Sequence, residues 1–268
     1  MSNNQTLIPG AKEALNKLKF ETASEVGVNL KNGQCLTIVV GPKTYEYASV
    51  MARQAYALGA KYVNIVVSDP RVNAARSMNQ LNDEDLTFVP SFLKAYDYEQ
   101  ISEEWARVRI DSGEDRIETF ESDLNNLQKI SKAIRKSGKE YSSRTMSNQL
   151  SWNVCAAPGP EWAKQILGEE ATEEDLAEVL GKILKIDGDD YVIKWDEFDA
   201  ACKKRMEWLN NLKIKTLHYK SPVTDFKVGF TEKARFCGGS GYLADGSIFF
   251  ANLPTEEIFA TPDMDTAE

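Results

Sequence analysis

The sequence predicts an α/β fold, with a parallel sheet in an N-terminal domain over residues 1–212 and an antiparallel β segment over 213–268 that begins a second, incomplete domain. Two short runs rich in β-branched residues, CLTIVV (35–40) and YVNIVV (62–67), flank a helical stretch, and this βαβ pattern is typical of parallel strands. After Lys213 the apolar residues recur at every second position, which is the period of a strand with one buried face. This change of period places the predicted domain boundary.

The strands of the predicted sheet follow from their apolar patterns. Because the runs at 35–40 and 62–67 are nearly continuous in apolar residues, we expect neighbouring parallel strands that are buried on both faces. ARVRI (106–110) and SWNVCAA (151–157) are the third and fourth strand candidates. In the later segment, TDFKVGF (224–230) alternates apolar and polar residues, which predicts a strand of an antiparallel sheet.

The helices are predicted from apolar spacing and from their capping residues. Residues 11–26 have helical spacing, and a later helical region is broken at Pro90. Thr172 followed by Asp175 resembles a capping box at the start of another helix. Over 194–212, apolar residues at i+3 and i+4 spacing predict a core-facing stripe. That stripe comprises Trp195, Phe198, Cys202, Met206, Leu209 and Leu212.

The composition excludes several classes of protein. The chain is 42% hydrophobic and 27% charged, and it has no apolar run near the roughly 18–20 residues of a membrane span. Its net charge of −9 argues against a general nucleic-acid binder, which would need a basic face. The N-terminal MSNNQTLIPG lacks the features of a secretory signal, so a cytoplasmic location without membrane or nucleic-acid partners is expected.

The cysteines and the one histidine are the first candidates for metal ligands. Cys35, Cys155, Cys202 and Cys237 are far apart in sequence and show no CxxC spacing, which disfavours a structural zinc site. We therefore expect reduced cysteines in the core. His218 follows a strand-like pattern and is interpreted as a packed strand residue.

A carboxylate pair, Glu256 and Glu257, lies near the end of the sequence in NLPTEEIFATPD. If the segment is extended, adjacent side chains point to opposite faces, so only one of the two can enter a given cavity. This disfavours a glycosidase, whose two carboxyl groups face each other across about 5–9 Å. A solvated surface pair is the alternative. The first strand-to-helix turn, VGPKT, has no glycine-rich phosphate motif, so a nucleotide cofactor domain ranks below other interpretations.

Several segments, in order from about residue 26 to 268, resemble the aminopeptidase T, aminopeptidase S and PepS family of metallopeptidases. They include VGVNLKNGQ, ARQAYALGAKYV, SWNVCAAPGPEWAKQIL and GGSGYLADGSIFFANLPTEEIFATPD. The resemblance implies a cytoplasmic, homodimeric enzyme that removes N-terminal residues from peptides. It also implies a water molecule activated by two divalent metal ions, zinc or cobalt.

The same resemblance implies that Glu257 is a metal ligand, with Glu256 the less favoured choice. The family's other ligands and its catalytic tyrosine follow this motif, whereas the sequence ends at Glu268. We therefore expect the N-terminal portion of such an enzyme, with no catalytic or cofactor-binding residue of its own and no tightly bound metal. The alternative is a non-catalytic α/β module that serves dimerisation or encloses substrate.

The leader TLIPGAKEALNKLKFETASEVGVNL (6–30) has a separate resemblance, to the first half of the α/β-type small acid-soluble spore proteins. Those proteins coat DNA. Their glycine-rich second half is absent from this sequence, so DNA binding does not carry over.

Overall fold

A computed structural model gives the fold of the chain. It describes residues 28, 30–79, 82–116, 121–188, 190–253 and 255–267. The helix predicted over 11–26 lies outside the described residues.

The order of elements matches an α/β protein. The strands are β1 (Cys35–Val40), β2 (Tyr62–Val67), β3 (Ala106–Asp111), β4 (Trp152–Ala156), β5 (Thr216–Ser221), β6 (Thr224–Phe230), β7 (Cys237–Gly238), β8 (Gly241–Tyr242), β9 (Ile248–Phe249), β10 (Asn252–Leu253), β11 (Ile258–Phe259) and β12 (Pro262–Asp263). The helices are α1 (Tyr45–Ala57), α2 (Pro70–Asn79), α3 (Asp83–Thr87), α4 (Ser91–Ser102), α5 (Leu124–Ser137), α6 (Lys139–Met146), α7 (Pro160–Leu167), α8 (Glu173–Ile183) and α9 (Tyr191–Asn211).

The main sheet has five strands in the order β10-β4-β3-β1-β2, and every pairing in it is parallel. The predicted parallel pairing of the first two apolar runs is confirmed. The prediction that both are buried on both faces is right for β1 and wrong for β2, whose end residues Tyr62 and Val67 are exposed. The reason is position, because β2 lies at the sheet edge and β1 lies between β2 and β3.

The third and fourth predicted strands are confirmed as β3 and β4, but the fifth strand was not predicted. β10 pairs with β4 in parallel, although the sequence predicted only antiparallel pairing after residue 213. Next to this pairing the Asn153 side chain donates to the backbone oxygen of Phe250 at 2.7 Å. The preceding residue, Phe249, is 1% exposed, and its ring lies against the ring of Trp152. A short return of the chain thus completes the parallel sheet.

The helix boundaries follow the predicted signals. The break at Pro90 is confirmed, since α3 ends at Thr87 and α4 begins at Ser91. The predicted capping box at the start of α8 is also present, with both of its hydrogen bonds formed. Along α9 the predicted stripe is buried at Trp195 and Cys202, but Leu212 beyond its end is exposed. None of the described helices is both long and apolar enough to cross a membrane.

The chain divides into two compact units. The first comprises residues 1–189 and 242–254, and it contains the parallel sheet. The second comprises 190–241 and 255–268. In the second unit β5 and β6 form an antiparallel hairpin that β12 joins, as expected for the later segment. The assignment of 1–212 and 213–268 to two domains stays a prediction.

Candidate functional site

The predicted metal ligand lies in a short irregular segment of the second unit. Residues 255–257 have no regular structure, and the chain then enters β11, which pairs antiparallel with β7. The side chains of Glu256 and Glu257 are both exposed. The pairing of β11 therefore fixes the backbone directly after Glu257 and leaves its carboxylate at the surface.

Gly238 of β7 sets how closely this segment approaches. A Cβ atom at position 238 would lie 2.5 Å from the backbone oxygen of Glu257 and 2.6 Å from the Cδ1 atom of Ile258. Real Cβ atoms do not come that close to a backbone oxygen, so the observed position of Glu257 requires glycine at 238. Gly238 of β7 thus positions the candidate ligand.

Helix α9 holds the turn that directly follows Gly238. The Asp199 carboxylate accepts hydrogen bonds from the backbone nitrogen of Ser240 at 2.8 Å and from its hydroxyl at 2.9 Å. It also forms a salt bridge with Lys203 one turn later on the helix. Burial raises the pKa of Asp199, but the hydrogen bonds from Lys203 and Ser240 outweigh it and lower the pKa below its ordinary value. Asp199 is thus a charged anchor for this turn.

Asn210 gives α9 a second anchor near its end. Its side-chain oxygen accepts from the backbone nitrogen of Phe236 at 2.9 Å, and its side-chain nitrogen donates to the Phe236 oxygen at 3.1 Å. This pair of bonds mimics the pairing of two backbone strands. Asp199 and Asn210 were both missed from the sequence. For Asp199 the sequence did contain a signal, because a carboxylate between Trp195 and Cys202 lies on the apolar stripe and needs a partner there.

The segment after β11 is tied to the hairpin. The Thr266 hydroxyl accepts from the backbone nitrogen of Gly229 at 2.7 Å, and it donates to the backbone oxygen of Asp263 at 2.7 Å. A Cβ atom at 229 would lie 2.7 Å from that hydroxyl oxygen. The NLPTEEIFATPD motif is therefore held on both sides of β11, at Gly238 and at Gly229.

The other candidate metal ligands do not gather around Glu257. Among the described residues there is no group of three or more His, Cys, Asp or Glu side chains that could hold a metal ion. These residues alone thus do not form a complete metal centre. His218 lies on β5 as predicted, but it is exposed rather than packed, and its Nε2 atom pairs with Asp225. The reason is that the hairpin is exposed on both faces along β5 and the first part of β6, so His218 has no core to pack against there.

The cysteines largely follow the expectation of reduced core residues. Cys35, Cys155 and Cys202 are free and buried, whereas Cys237 is free and exposed, which corrects the prediction for that position. Burial raises the pKa of the Cys155 thiol to about 12. Cys237 lies in the two-residue strand β7, and its side chain faces solvent.

A crevice of about 380 Å³ lies at the carboxyl ends of β1 and β3, where open parallel sheets usually bind their ligands. The place in this crevice where an anion would bind, at the start of α1, is filled by a side chain of the protein. The Asp115 carboxylate accepts from the backbone nitrogen of Lys43 at 3.1 Å and from the Thr44 hydroxyl at 2.9 Å, directly before α1. A Cβ atom at Gly41 would overlap this carboxylate. Asp115 thus occupies the place where a cofactor phosphate would bind, which opposes the interpretation as a nucleotide domain.

Comparison with known proteins covers nearly the whole chain. A family model described as thermophilic metalloprotease (M29) matches residues 12–268. Aminopeptidase PepS from Streptococcus thermophilus is 28% identical over 267 residues, which cover 96% of this chain and 63% of that protein. The solved structure of wild-type AmpT from Thermus thermophilus has the same fold, with a TM-score of 0.79 and 24% identity over 96% of this chain and 63% of that chain.

The resemblance of the leader is also found. Small, acid-soluble spore protein 1 from Bacillus subtilis is 62% identical over 29 residues, which are 11% of this chain and 41% of that protein. The aminopeptidase matches are far longer, yet the chain spans only about three fifths of the length of those relatives. The predicted resemblance to the aminopeptidase T and S family is confirmed, and because the family model covers residues 12–268, the chain belongs to the M29 family of thermophilic metalloproteases.

Proposed function

We propose that this chain is the N-terminal portion of a metal-dependent aminopeptidase, which removes N-terminal residues from peptides. The observation that carries the proposal is the match of the M29 family model over residues 12–268. The names of the relatives support the reaction, since PepS and aminopeptidase 2 are both aminopeptidases. By the same resemblance, the whole enzyme is a cytoplasmic homodimer.

Within that enzyme, we assign Glu257 as a metal ligand and Glu256 as the less favoured candidate. The position of Glu257 supports the assignment, because its side chain is exposed while β11 and Gly238 hold its backbone. A carboxylate oxygen is a suitable donor for a divalent cation. The two ions are proposed to be zinc or cobalt, with the remaining ligands outside the described residues.

The 268-residue chain by itself is proposed to be inactive and to bind these metals only weakly. A catalytic zinc ion is usually held by about three protein ligands with one open position. Glu257 alone is one ligand, and the described residues provide no cluster around it.

The experiment compares this chain with a longer protein in which it is joined to the remaining C-terminal part of PepS. Metal content and hydrolysis of an aminoacyl chromogenic substrate are measured for both. We expect metal-dependent hydrolysis only in the longer protein. Glu257→Ala in that protein should abolish tight metal binding, and Glu256→Ala, the matched control one residue away, should have a milder effect.

Two outcomes would contradict the proposal. Robust hydrolysis by the 268-residue chain would refute its dependence on further ligands. A Glu257→Ala protein with unchanged metal content would refute the ligand assignment. If the longer protein folds and binds no metal, the non-catalytic module for dimerisation or substrate enclosure takes the place of the enzyme.

A further inference from the structure

One edge of the small sheet in the second unit is open. The strand order is β12-β6-β5, so β6 lies in the middle and β5 has a neighbour on one side only. Every residue of β5 except Leu217 is exposed. An unpaired strand edge of this kind is a template for a further strand, which can come from another polypeptide.

The register of the β5–β6 hairpin determines which backbone groups face outward. The backbone nitrogen of Phe230 donates to the oxygen of Lys215 at 3.2 Å, so Lys215 directs its backbone groups toward β6 and its extension. Residues along an antiparallel strand alternate in this respect. Thr216, His218 and Lys220 therefore direct their N–H and C=O groups away from β6. Within the described part of the chain, no hydrogen bond reaches these outward groups.

The open edge is basic, although the whole chain has a net charge of −9. Residues 213–227 contain four exposed lysines and a single acidic residue, Asp225. The Asp225 carboxylate neutralises part of this charge, because it contacts His218 at 2.5 Å and Lys220 at 3.3 Å. A surface with a positive excess favours an acidic partner. The four lysines are Lys213, Lys215, Lys220 and Lys227.

The two faces of the hairpin determine which side-chain pattern fits. His218 and Lys220 share one face with Lys227, which is in register with His218. On the other face the rings of Tyr219 and Phe226 stack on one another, and both side chains are exposed. The side chains of an added strand alternate between the same two faces. Acidic side chains would thus lie beside the basic face, and apolar ones beside the stacked rings.

We propose that the β5 edge binds an extended peptide with alternating acidic and apolar side chains, which joins the three-stranded sheet as a further strand. Its backbone pairs with the outward groups of Thr216, His218 and Lys220. A second copy of the chain is a poorer partner, because pairing β5 with β5 would bring the basic side chains of both copies together. A nucleic acid would match the charge but leave the outward backbone groups unpaired. The inference does not rest on the proposed peptidase activity.

Fluorescence anisotropy of the 268-residue chain with a labelled peptide of repeated Glu-Val units tests the proposal. A peptide of repeated Lys-Val units has the opposite charge. A third peptide repeats Glu-Val but carries N-methyl groups on a central glutamate and on the valine after it, so neither of its edges can complete a ladder. We expect the acidic peptide to bind and the other two to bind at least about tenfold more weakly.

Two substitutions test the edge itself. His218→Pro removes an outward N–H group, which an edge strand tolerates, and should weaken binding of the acidic peptide about tenfold. Lys220→Glu reverses a charge beside the added strand and should weaken binding at least about threefold. Lys132→Glu makes the same change at an exposed position on α5 of the first unit, so binding should be unchanged.

Circular dichroism and melting temperatures without peptide show whether each variant is folded. If His218→Pro does not fold, Lys220→Glu and the N-methylated peptide still decide. The proposal is overturned if the acidic peptide does not bind at millimolar concentration, or if either folded variant binds it as the unchanged chain does. Equal binding of the N-methylated peptide overturns it too, because charge alone would then explain the binding. Tighter binding of single-stranded oligothymidylate, or a dimer that Lys220→Glu dissociates, would assign the edge to a nucleic acid or a second copy instead.

Discussion

At Gly238, the absence of a side chain determines how closely the segment before β11 can pack. The neighbouring Gly239 has a φ of +71°, and a Cβ atom there would lie 2.6 Å from the Asp199 carboxylate. The two glycines therefore serve different purposes. Gly238 makes room for the backbone of Glu257, and Gly239 permits a left-handed turn against α9.

Replacing Gly238 with alanine should destabilise the second unit by about 1–3 kcal/mol, the usual cost of inserting a methyl group into a packed contact. The new Cβ would overlap the backbone oxygen of Glu257. Urea unfolding of the 268-residue chain, followed by tryptophan fluorescence, gives the change. Gly246→Ala is the comparison, because a Cβ atom there meets open space and only the backbone strain of its φ of +83° remains. Equal stability of Gly238→Ala and the unchanged chain would contradict the close contact.

Asp199 should make the stability of the second unit depend on acidic pH. Its pKa is lower in the folded state than in the unfolded state, so its contribution is present above the unfolded value of about 3.9 and is lost as pH falls through the folded value. Asp199→Asn should therefore reduce the free energy of unfolding by about 1–3 kcal/mol at neutral pH. The difference should shrink below about pH 4 as the carboxylate of the unchanged chain is protonated.

Denaturant titrations at several pH values measure this difference. Asp196→Asn, an exposed carboxylate on the same helix, is the control and should show little effect at any pH. A gap between Asp199→Asn and the unchanged chain that stays constant down to pH values well below 4 would show that the charge is not the source of the anchoring.

At the scale of elements, the β5–β6 hairpin is the least protected part of the second unit. Its turn residue Val223 is 94% exposed, and the rings of Tyr219 and Phe226 stack on one another with both side chains exposed. An exposed apolar face on a short hairpin provides little burial to hold it closed. By contrast, β1 in the parallel sheet is buried along its whole length.

Limited proteolysis of the 268-residue chain should therefore cut first within residues 213–268, and most readily at the turn between β5 and β6. Mass spectrometry of the early fragments identifies the site. Thermolysin and trypsin used separately control for sequence preference. Early cleavage between residues 34 and 212, with 213–268 left intact, is the result that would overturn this order of stability.

At the scale of the whole molecule, the chain leaves the first unit at residue 190, returns over 242–254 and leaves it again. The returning segment brings β10 beside β4 and buries Phe249 and Leu253. A chain cut at the predicted boundary after residue 212 would thus lack an edge strand and the four buried apolar side chains of the returning segment, which are Leu243, Phe249, Phe250 and Leu253.

We expect a protein of residues 1–212 to be markedly less stable than the full 268 residues. Each fully buried leucine or phenylalanine side chain contributes about 1.5–3 kcal/mol, and the exposed edge of β4 adds a risk of association. Thermal unfolding and size-exclusion chromatography measure both effects. A chain ending at Ala260 keeps β10 and should retain most of the stability. If residues 1–212 are as stable and monodisperse as this control, the predicted boundary marks an independent domain after all.

The parts of the fold that were predictable are those with a local pattern. The β1–β2 unit, β3, β4 and the Thr172 capping box follow from a few neighbouring residues each. By contrast, β10 has only two residues, and its pairing depends on β4 being present already. In the candidate site, Glu257 was found through a motif, while its support by Asp199 and Gly238 depends on contacts between distant parts of the chain.

The late return of β10 has a consequence for synthesis on the ribosome. Asn153 beside β4 binds the backbone of Phe250, which lies 97 positions later in the chain. Four strands of the parallel sheet can therefore form while the open side of β4 still awaits its neighbour. During that interval the edge of β4 has no partner strand, and unpaired strand edges promote association between nascent chains. Slow translation between β4 and β10 would lengthen the exposure, so we expect chaperone dependence in this protein to increase with the time taken to translate that stretch.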